Sequence, residues 1–277
     1  MQKIPIFAAV KTLEHIVSPI AAELAQFEVF FGQTLKAETE PMDSIMRYVK
    51  ESRGKRLRPI LVLLSAKLLG EVNERTLRAA TFVEMVHSAT LIHDDVVDYS
   101  DQRRGRASVK ARFGNLSAVL VGDYILAKAM LLLSQPDDHA IQQEMLQTSA
   151  AMSEGELMQN TVDDCVPQSE NTTSQQNRYL DIITRKTAML MRSCCIAGAL
   201  SVDATPEQVQ QLSNFGLNFG ILFQLRDDLL DGENTEQAKA LLPTYYEKTL
   251  KALEGFAPSI ITEALMDLTV FCAERGE

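Results

Sequence analysis

The sequence predicts an all-α protein that folds as a single domain. Apolar residues recur with helical spacing along almost the whole chain, and no segment shows the apolar–polar alternation of a strand. Glycines, prolines and polar stretches interrupt this spacing where helices would end. With 277 residues, of which 46% are hydrophobic, the chain can bury a full core. We therefore expect one helical bundle over residues 1–277.

The expected helices follow from this periodicity and its interruptions. Gly70 ends one helix, and Glu74 opens the next. The polar stretch 162–173 is the longest expected loop, and its Asp163–Asp164 pair is expected to be solvated because no apolar run precedes it. The expected helices span residues 8–34, 41–51, 56–70, 73–99, 115–134, 138–161, 174–200, 206–231, 235–254 and 258–274.

Charge and cysteine content limit the classes of partner. A formal net charge of −10 argues against nucleic acid as a partner and against general attraction to anionic lipid. The four cysteines show no metal-ligand or disulfide spacing, which favours the reducing cytoplasm. No signal-peptide pattern and no uncharged run of 18 apolar residues is present, so we expect no stable membrane insertion.

Three aspartates close an apolar, helix-period run at residues 84–98. At about 100° per residue, Asp94 and Asp98 share one helix face with Asp95 beside them, and His87 points the same way two turns earlier. Carboxylates this close raise one another's pKa unless a cation neutralises them, and Mg²⁺ prefers such oxygen ligands. A single copy of this motif is equally consistent with a solvated helix end.

A second copy of the motif changes that balance. Asp227, Asp228 and Asp231 repeat the spacing at the end of the apolar run 215–230. If the two helices packed side by side, six carboxylates would converge on one mouth, where they could bind Mg²⁺ and, through it, a polyphosphate. Two copies therefore favour a metal site over two solvated helix ends.

Two basic clusters stand out against the acidic average. Lys55 and Arg58 lie in a segment that enters a helix, where cations and backbone N–H groups can share an anion. Arg103 and Arg104 follow the first acid motif, within reach of a diphosphate bound there. Taken alone, the first cluster would be a solvated turn and the second would form weak surface ion pairs.

Two further features lie on expected helices. Lys186 and Thr187 fall midway along an apolar helix, where a lysine alone would extend its amine to the surface. Gln224 is one turn before Asp227, so its amide is expected to point toward the acids. The alternative for Gln224 is a core amide bonded to a neighbouring helix.

These motifs, in their order over about residues 50–232, resemble the trans-isoprenyl (polyprenyl) diphosphate synthase family. The resemblance is carried by Gly54-Lys-Arg-Leu-Arg-Pro59, His87, Asp94-Asp-Val-Val-Asp98, Arg103-Arg104-Gly105, Phe113-Gly114, Gly122-Asp123, Glu154-Gly-Glu156, Lys186-Thr187 and Phe223-Gln224-x-x-Asp227-Asp228-x-x-Asp231. It implies an all-α bundle around a deep apolar cavity, usually homodimeric. It also implies head-to-tail condensation of an allylic diphosphate with isopentenyl diphosphate, whose lipid product would bring the protein near a membrane.

The resemblance also implies residue roles. About two or three Mg²⁺ ions per site would be held by Asp94, Asp95, Asp98, Asp227, Asp228 and Asp231. Isopentenyl diphosphate would be held by Lys55, Arg58, His87 and Arg104. The departing diphosphate would be stabilised by Lys186 and Arg103. A mild dipole toward the allylic cation would come from Gln224 and Thr187.

Product length is expected to depend on residues below the first motif. Thr90 lies one turn before Asp94 on the same face, and Ala89 lies about 7.5 Å down the axis. In the resembled family these positions shape the cavity floor, and aromatic residues there stop growth early. Both are small here, so a long all-trans product is expected, with octaprenyl as the central value. A short-chain (farnesyl or geranylgeranyl) synthase is the alternative.

The sequence departs from the family pattern after the second motif. The 46 residues after Asp231 (277 − 231) contain no GK-x-T-L-P pattern around Lys239, so no lid or further lysine contact is assigned. Arg53 replaces a frequent glycine. Three other classes stay open: a non-catalytic subunit of a heteromeric synthase, a terpene cyclase and a di-metal carboxylate bundle. The last class needs two Glu-x-x-His pairs, and Glu84-x-x-His87 occurs once.

Overall fold

The computed structural model describes residues 11–52, 54–160 and 172–274, and its architecture is all-α, as expected. The α-helices are α1 (Leu13–Val17), α2 (Ala21–Thr34), α3 (Glu40–Glu51), α4 (Leu57–Leu69), α5 (Glu74–Val97), α6 (Val109–Phe113), α7 (Asn115–Leu132), α8 (His139–Asn160), α9 (Thr172–Ile183), α10 (Met189–Ser201), α11 (Pro206–Asp231), α12 (Thr235–Lys251) and α13 (Ile260–Glu274). An antiparallel ladder pairs β1 (Gln102–Arg103) with β2 (Arg106–Ala107). The expected Asp163–Asp164 loop and Arg53 lie outside the described residues.

Three expectations from the sequence need correction. The helix expected over 8–34 is broken by a 3-10 turn at Ser18–Ile20, because Pro19 cannot donate a backbone hydrogen bond. The helix expected over 174–200 contains a π-helical turn at Thr184–Ala188. The β1–β2 ladder and α6 were not expected, since elements this short carry too few residues to show a period. Most other bounds agree within three residues.

The centre of the bundle is formed by α4, α5, α10 and α11. Every residue from Pro59 to Ala66 on α4 is buried, so this helix is surrounded on all sides. The α10 helix packs against α4, α5, α8 and α11, and its small residues allow these close approaches. The two helices that end in acid motifs, α5 and α11, are thereby held in one rigid frame.

Gly220 on α11 permits the closest of these approaches near the acid motifs. A Cβ atom added there would lie 2.5 Å from the Ala188 Cα and 2.9 Å from its Cβ. These neighbours belong to the π-helical turn that contains Lys186 and Thr187, and backbone atoms cannot move aside as the end of a side chain can. The glycine therefore sets how closely that turn approaches α11.

The α7 helix differs from the central helices because most of its outward face is apolar and exposed, with Asp123 as the charged residue within it. Within the described ranges, only α7 is long and apolar enough to cross a membrane, and 28% of it is buried. Its large exposed apolar side chains are Leu116, Val119, Leu120, Met130 and Leu131. This strip, called the α7 face below, has no partner element within the described part of the chain.

We predict that Gly220→Ala destabilises the protein. Alanine favours a helix over glycine by about 0.5–1 kcal/mol, but here the added methyl meets backbone, and overpacking of this kind costs about 1–3 kcal/mol. Gly32→Ala is the matched control, because its added Cβ would meet only the flexible end of Lys50. Thermal unfolding followed by circular dichroism should show a lower Tm for Gly220→Ala alone. Equal Tm values for the two variants would contradict the close-approach argument.

Candidate active site

The first acid motif ends α5 with a gradient of burial. Asn73 caps the start of this helix through a capping box, and Asp98 caps its end. Asp94 is half-buried, Asp95 is 2% exposed, and Asp98 is exposed. Arg103 donates to Asp95 Oδ1 from Nε (2.9 Å) and Nη2 (2.6 Å). The buried middle acid is therefore held by a guanidinium from the turn that follows.

The second motif repeats this gradient at the end of α11. Asp227 is half-buried, Asp228 is 5% exposed, and Asp231 is exposed. The buried Asp228 again accepts hydrogen bonds, one from the Tyr179 hydroxyl and one from Gln224 Nε2 at 2.8 Å. In both motifs the middle carboxylate is thus satisfied by protein donors.

The expected convergence of all six carboxylates needs refinement. The described residues contain no group of three or more acid, histidine or cysteine side chains that could by themselves hold a metal ion. Mg²⁺ in phosphate-handling sites usually takes one or two carboxylates and completes its ligands with phosphate and water. The outer aspartates of each motif can supply one or two carboxylates of this kind.

Asp94 shows that the mouth of the site suits a cation. Burial, followed by the nearby acids Glu156 and Asp98, raises the pKa of Asp94 to about 6, while Lys186 and Arg103 act in the opposite direction. A divalent cation would relieve this crowding of carboxylates. The residues present therefore fit Mg²⁺.

Lys186 reaches this mouth from the π-helical turn. Its Nζ lies 2.7 Å from Glu156 Oε2 on α8. Gly155 allows the approach, since a Cβ there would lie 2.8 Å from the Lys186 backbone nitrogen. Single π-helical turns inside α-helices often occur at functional sites. Here the turn places Lys186 and Thr187 at the cavities described next.

A first cavity of about 600 Å³ has a basic wall, and this volume is typical of ligand sites. Seven of the residues proposed from sequence line it, namely Lys55, Arg58, His87 and Arg104 of the basic wall together with Thr187, Gln224 and Asp227. Arg58 Nε is buried without a hydrogen-bond partner, and Arg104 Nη1 donates to the Ser52 carbonyl at 3.0 Å. Burial and the neighbouring arginines hold the pKa of His87 well below its usual value, so this histidine is neutral.

A second cavity of about 580 Å³ lies on the other side of Thr187 and Gln224. Lys186 and Asp228 line it, while Thr187 and Gln224 line both cavities. The Thr187 hydroxyl donates to Gln224 Oε1 at 2.8 Å. Gln224 points toward the acids, as the sequence predicts, although its partner is Asp228 rather than Asp227.

The two residues expected to set product length do not line either of the two cavities described above. Ala89 is fully buried in the core, and Thr90 is half-buried with its hydroxyl donating to the His87 carbonyl at 3.0 Å. Neither is among the described residues that line the two large cavities. Their role in setting product length stays a prediction.

Sequence reasoning missed three contributors to the site. Tyr179 is seven residues before Lys186, and this two-turn spacing on an expected helix could have indicated it. Arg56 and Glu84 form an ion pair across 28 residues, which no local pattern reveals. The ion pair changes how many cations of the basic segment remain available.

Comparisons with known proteins show which family this chain resembles. The family model "Polyprenyl synthetase" matches residues 39–240. Octaprenyl diphosphate synthase of Haemophilus influenzae is 39% identical over 191 residues, which cover 69% of this chain and 56% of that protein. The Escherichia coli protein of the same name is 32% identical over 243 residues, covering 83% of this chain and 73% of that protein. The chain thus spans just over half of the Haemophilus protein.

A solved structure gives the same result at the level of the fold. The crystal structure of polyprenyl synthase from Caulobacter crescentus CB15, complexed with calcium and isoprenyl diphosphate, superposes with a TM-score of 0.87 at 25% identity. The superposition covers 98% of this chain and 100% of that one. Since the family model spans most of the chain, together with both acid motifs and the basic segment, this protein belongs to the polyprenyl synthetase family.

Proposed function

We propose that this protein is a prenyltransferase that condenses isopentenyl diphosphate head-to-tail with an allylic diphosphate to give a long all-trans polyprenyl diphosphate. The observation that carries the proposal is the pair of similarly sized cavities that share Thr187 and Gln224 as a common wall. One cavity has a wall of cations and also borders Asp227, and the other is lined by Lys186 and Asp228. Two substrates bound on either side of one wall would be positioned for a bond between them.

The acid motifs would hold Mg²⁺ through their carboxylates. Asp95 and Asp228 already accept protein hydrogen bonds, so Asp94 and Asp98 on α5 and Asp231 on α11 are the better placed ligands. Asp227 is retained as a ligand on the basis of the repeated acid spacing. When bound, Mg²⁺ supplies positive charge that favours departure of the diphosphate group. About two or three ions per site would match the two motifs.

Lys186 and Arg103 would add fixed positive charge beside the departing diphosphate. Both lie close enough to Asp94 to lower its pKa. Each is anchored by a carboxylate, Lys186 by Glu156 and Arg103 by Asp95, so neither must be ordered when substrate arrives. Preorganised charge of this kind stabilises a developing anion without reorganisation.

The basic cavity would hold isopentenyl diphosphate without metal. Arg58 lines this cavity and its Nε has no partner in the protein, so its guanidinium is available to donate to an oxygen of the diphosphate. Lys55 and Arg104 add positive charge, and neutral His87 can donate one N–H without adding to the repulsion among the cations. These four side chains would direct the double bond of the substrate toward the shared wall.

The shared wall would face the allylic cation. Thr187 donates to Gln224 Oε1, and Gln224 donates to Asp228, which fixes the amide in one orientation. The amide oxygen offers a dipole to the cation but is a poor nucleophile, so the cation is not trapped.

Product length is inferred from small Ala89 and Thr90 and from the long-chain products named for the relatives.

The α7 face is inferred to bind a second copy of the chain. Its exposed leucines, valine and methionine form an apolar strip, and homodimer interfaces are more apolar than other surfaces. The described cysteines Cys194 and Cys195 are buried free thiols, which suits the proposed cytoplasmic location.

The acid motifs give the most direct test of the proposed function. With Mg²⁺, labelled isopentenyl diphosphate and starters of several lengths, the purified protein should form long products, and chelation by EDTA should abolish them. Asp94→Ala and Asp227→Ala should each reduce turnover by about 100-fold or more, because each loses a metal ligand. Exposed Glu254→Ala is the control and should retain activity. Near-normal rates for both motif variants would rule out diphosphate ionisation at this site.

Product length is tested by enlarging the residues below the first motif. Thr90→Phe should shorten the product while leaving the first condensation intact, because Thr90 is only half-buried and the added ring acts on the growing tail. Ala89 is fully buried, so Ala89→Phe is expected to lower Tm by overpacking the core as well as to shorten the product. The measurement is the chain length of the dephosphorylated products of each variant. A full-length product from a folded Thr90→Phe protein would show that this position is not at the floor.

Dimerisation is tested by placing a charge on the α7 face. Leu120 is 54% exposed on α7, so Leu120→Glu should not disturb the core but should shift the protein toward monomer in analytical ultracentrifugation. Val29→Glu is the matched control, since Val29 is 62% exposed on α2. A monomeric wild type, or an unchanged dimer for Leu120→Glu, would contradict this assignment.

A further inference from the structure

Arg56 behaves differently from the other cations of the basic segment. It caps α4 from a left-handed backbone conformation (φ 54°), and its side chain is 9% exposed. Its Nε lies 2.8 Å from Glu28 Oε1, its Nη1 lies 2.5 Å from Glu84 Oε1, and its Nη2 lies 3.5 Å from Glu28 Oε2. All three guanidinium nitrogens therefore already donate to carboxylates, although Arg56 also lines the basic cavity.

Glu84 is the acid that makes this arrangement necessary. It lies on α5, its side chain is 4% exposed, and it lines the basic cavity together with Arg58 and Arg104. Its charge favours the protonated forms of both arginines and so partly offsets the lowering of their pKa by burial. A buried carboxylate in an anion site competes with the anionic substrate for the same guanidiniums.

The two arginines nevertheless remain uncommitted to Glu84. Arg58 Nε is buried and makes no hydrogen bond, and the hydrogen bond of Arg104 goes to a backbone carbonyl, that of Ser52. Within the described residues, the one short ion pair of Glu84 is with Arg56. Although all three arginines line the cavity, the guanidinium that neutralises the acid is thus distinct from the two that make no ion pair with it.

We propose that Arg56 is a positioning residue that neutralises Glu84, so that Arg58 and Arg104 stay available to bind isopentenyl diphosphate. The inference rests on the proposed function and adds that the arginines of the basic segment have two different roles. Without Arg56, Glu84 would be a buried and uncompensated charge, which is strongly unfavourable. Arg58 and Arg104, which both interact electrostatically with Glu84, would turn toward it, and the substrate would lose its ligands.

The proposal predicts that a second substitution repairs the first. Arg56→Gln should raise the KM for isopentenyl diphosphate by about 10-fold or more while changing the KM for the allylic starter much less. Adding Glu84→Gln removes the competing charge, so the double variant should return to within about 3-fold of the wild-type KM. Arg56→Lys keeps the charge and should also remain within about 3-fold.

Arg104→Gln is the control for a direct ligand of the substrate. It should raise the same KM, and adding Glu84→Gln should not restore it, because a lost ligand is not replaced by removing a competitor. A double variant Arg56→Gln/Glu84→Gln that stays as impaired as Arg56→Gln would overturn the proposal. The proposal would also be overturned if Arg56→Gln left the KM unchanged and the single and double variants had equally lowered Tm values. That result would describe a purely structural ion pair.

Two further measurements keep the test decisive. If Arg56→Gln does not fold, the single variant Glu84→Gln is measured instead. A rise in its KM for isopentenyl diphosphate would contradict the proposal. Calorimetric binding of isopentenyl diphosphate in EDTA should rank the variants as the KM values do. If the wild type and the variants bind this ligand in that order but the wild type forms no product, the proposed condensation is refuted and the role of Arg56 stands.

Discussion

The site depends on one constraint, which is that each buried charge must have a partner. Asp95 has Arg103, Asp228 has Tyr179 and Gln224, and Glu84 has Arg56 in the wall of the basic cavity. Because these inner groups are satisfied within the protein, the outer groups can serve a ligand. The same separation of inner and outer charges thus occurs at the acid motifs and in the basic wall.

The two acid motifs are alike in more than spacing. Each ends a long helix that begins with a capping box, at Asn73 for α5 and at Thr205 for α11. Each buries its middle aspartate and exposes its last one. Since the burial gradient follows from how a helix end projects from the core, the two motifs can present equivalent outer carboxylates although different donors hold their middle residues. This likeness supports a shared role in binding a cation with a diphosphate.

Close backbone packing connects this electrostatic arrangement to the core. Gly155 lets α8 approach the π-helical turn, and Gly220 lets α11 approach it from another side. The turn is therefore held between two helices while it carries Lys186 to the acids and Thr187 to the cavities. A rigid mounting of these residues suits a reaction in which charge must be in place before it develops.

The sequence by itself determined what depends on local helix geometry. The all-α class, most helix bounds, the shared face of Asp94 and Asp98, and the orientation of Gln224 follow from residues three or four apart. The tertiary structure decided which charges are paired, because Arg56–Glu84 and Tyr179–Asp228 join residues 28 and 49 positions apart. It also decided that Arg56, although it lines the cavity, donates to Glu28 and Glu84, and that Ala89 is fully buried in the core. Contacts between distant residues depend on how helices pack, and periodicity carries no record of that packing.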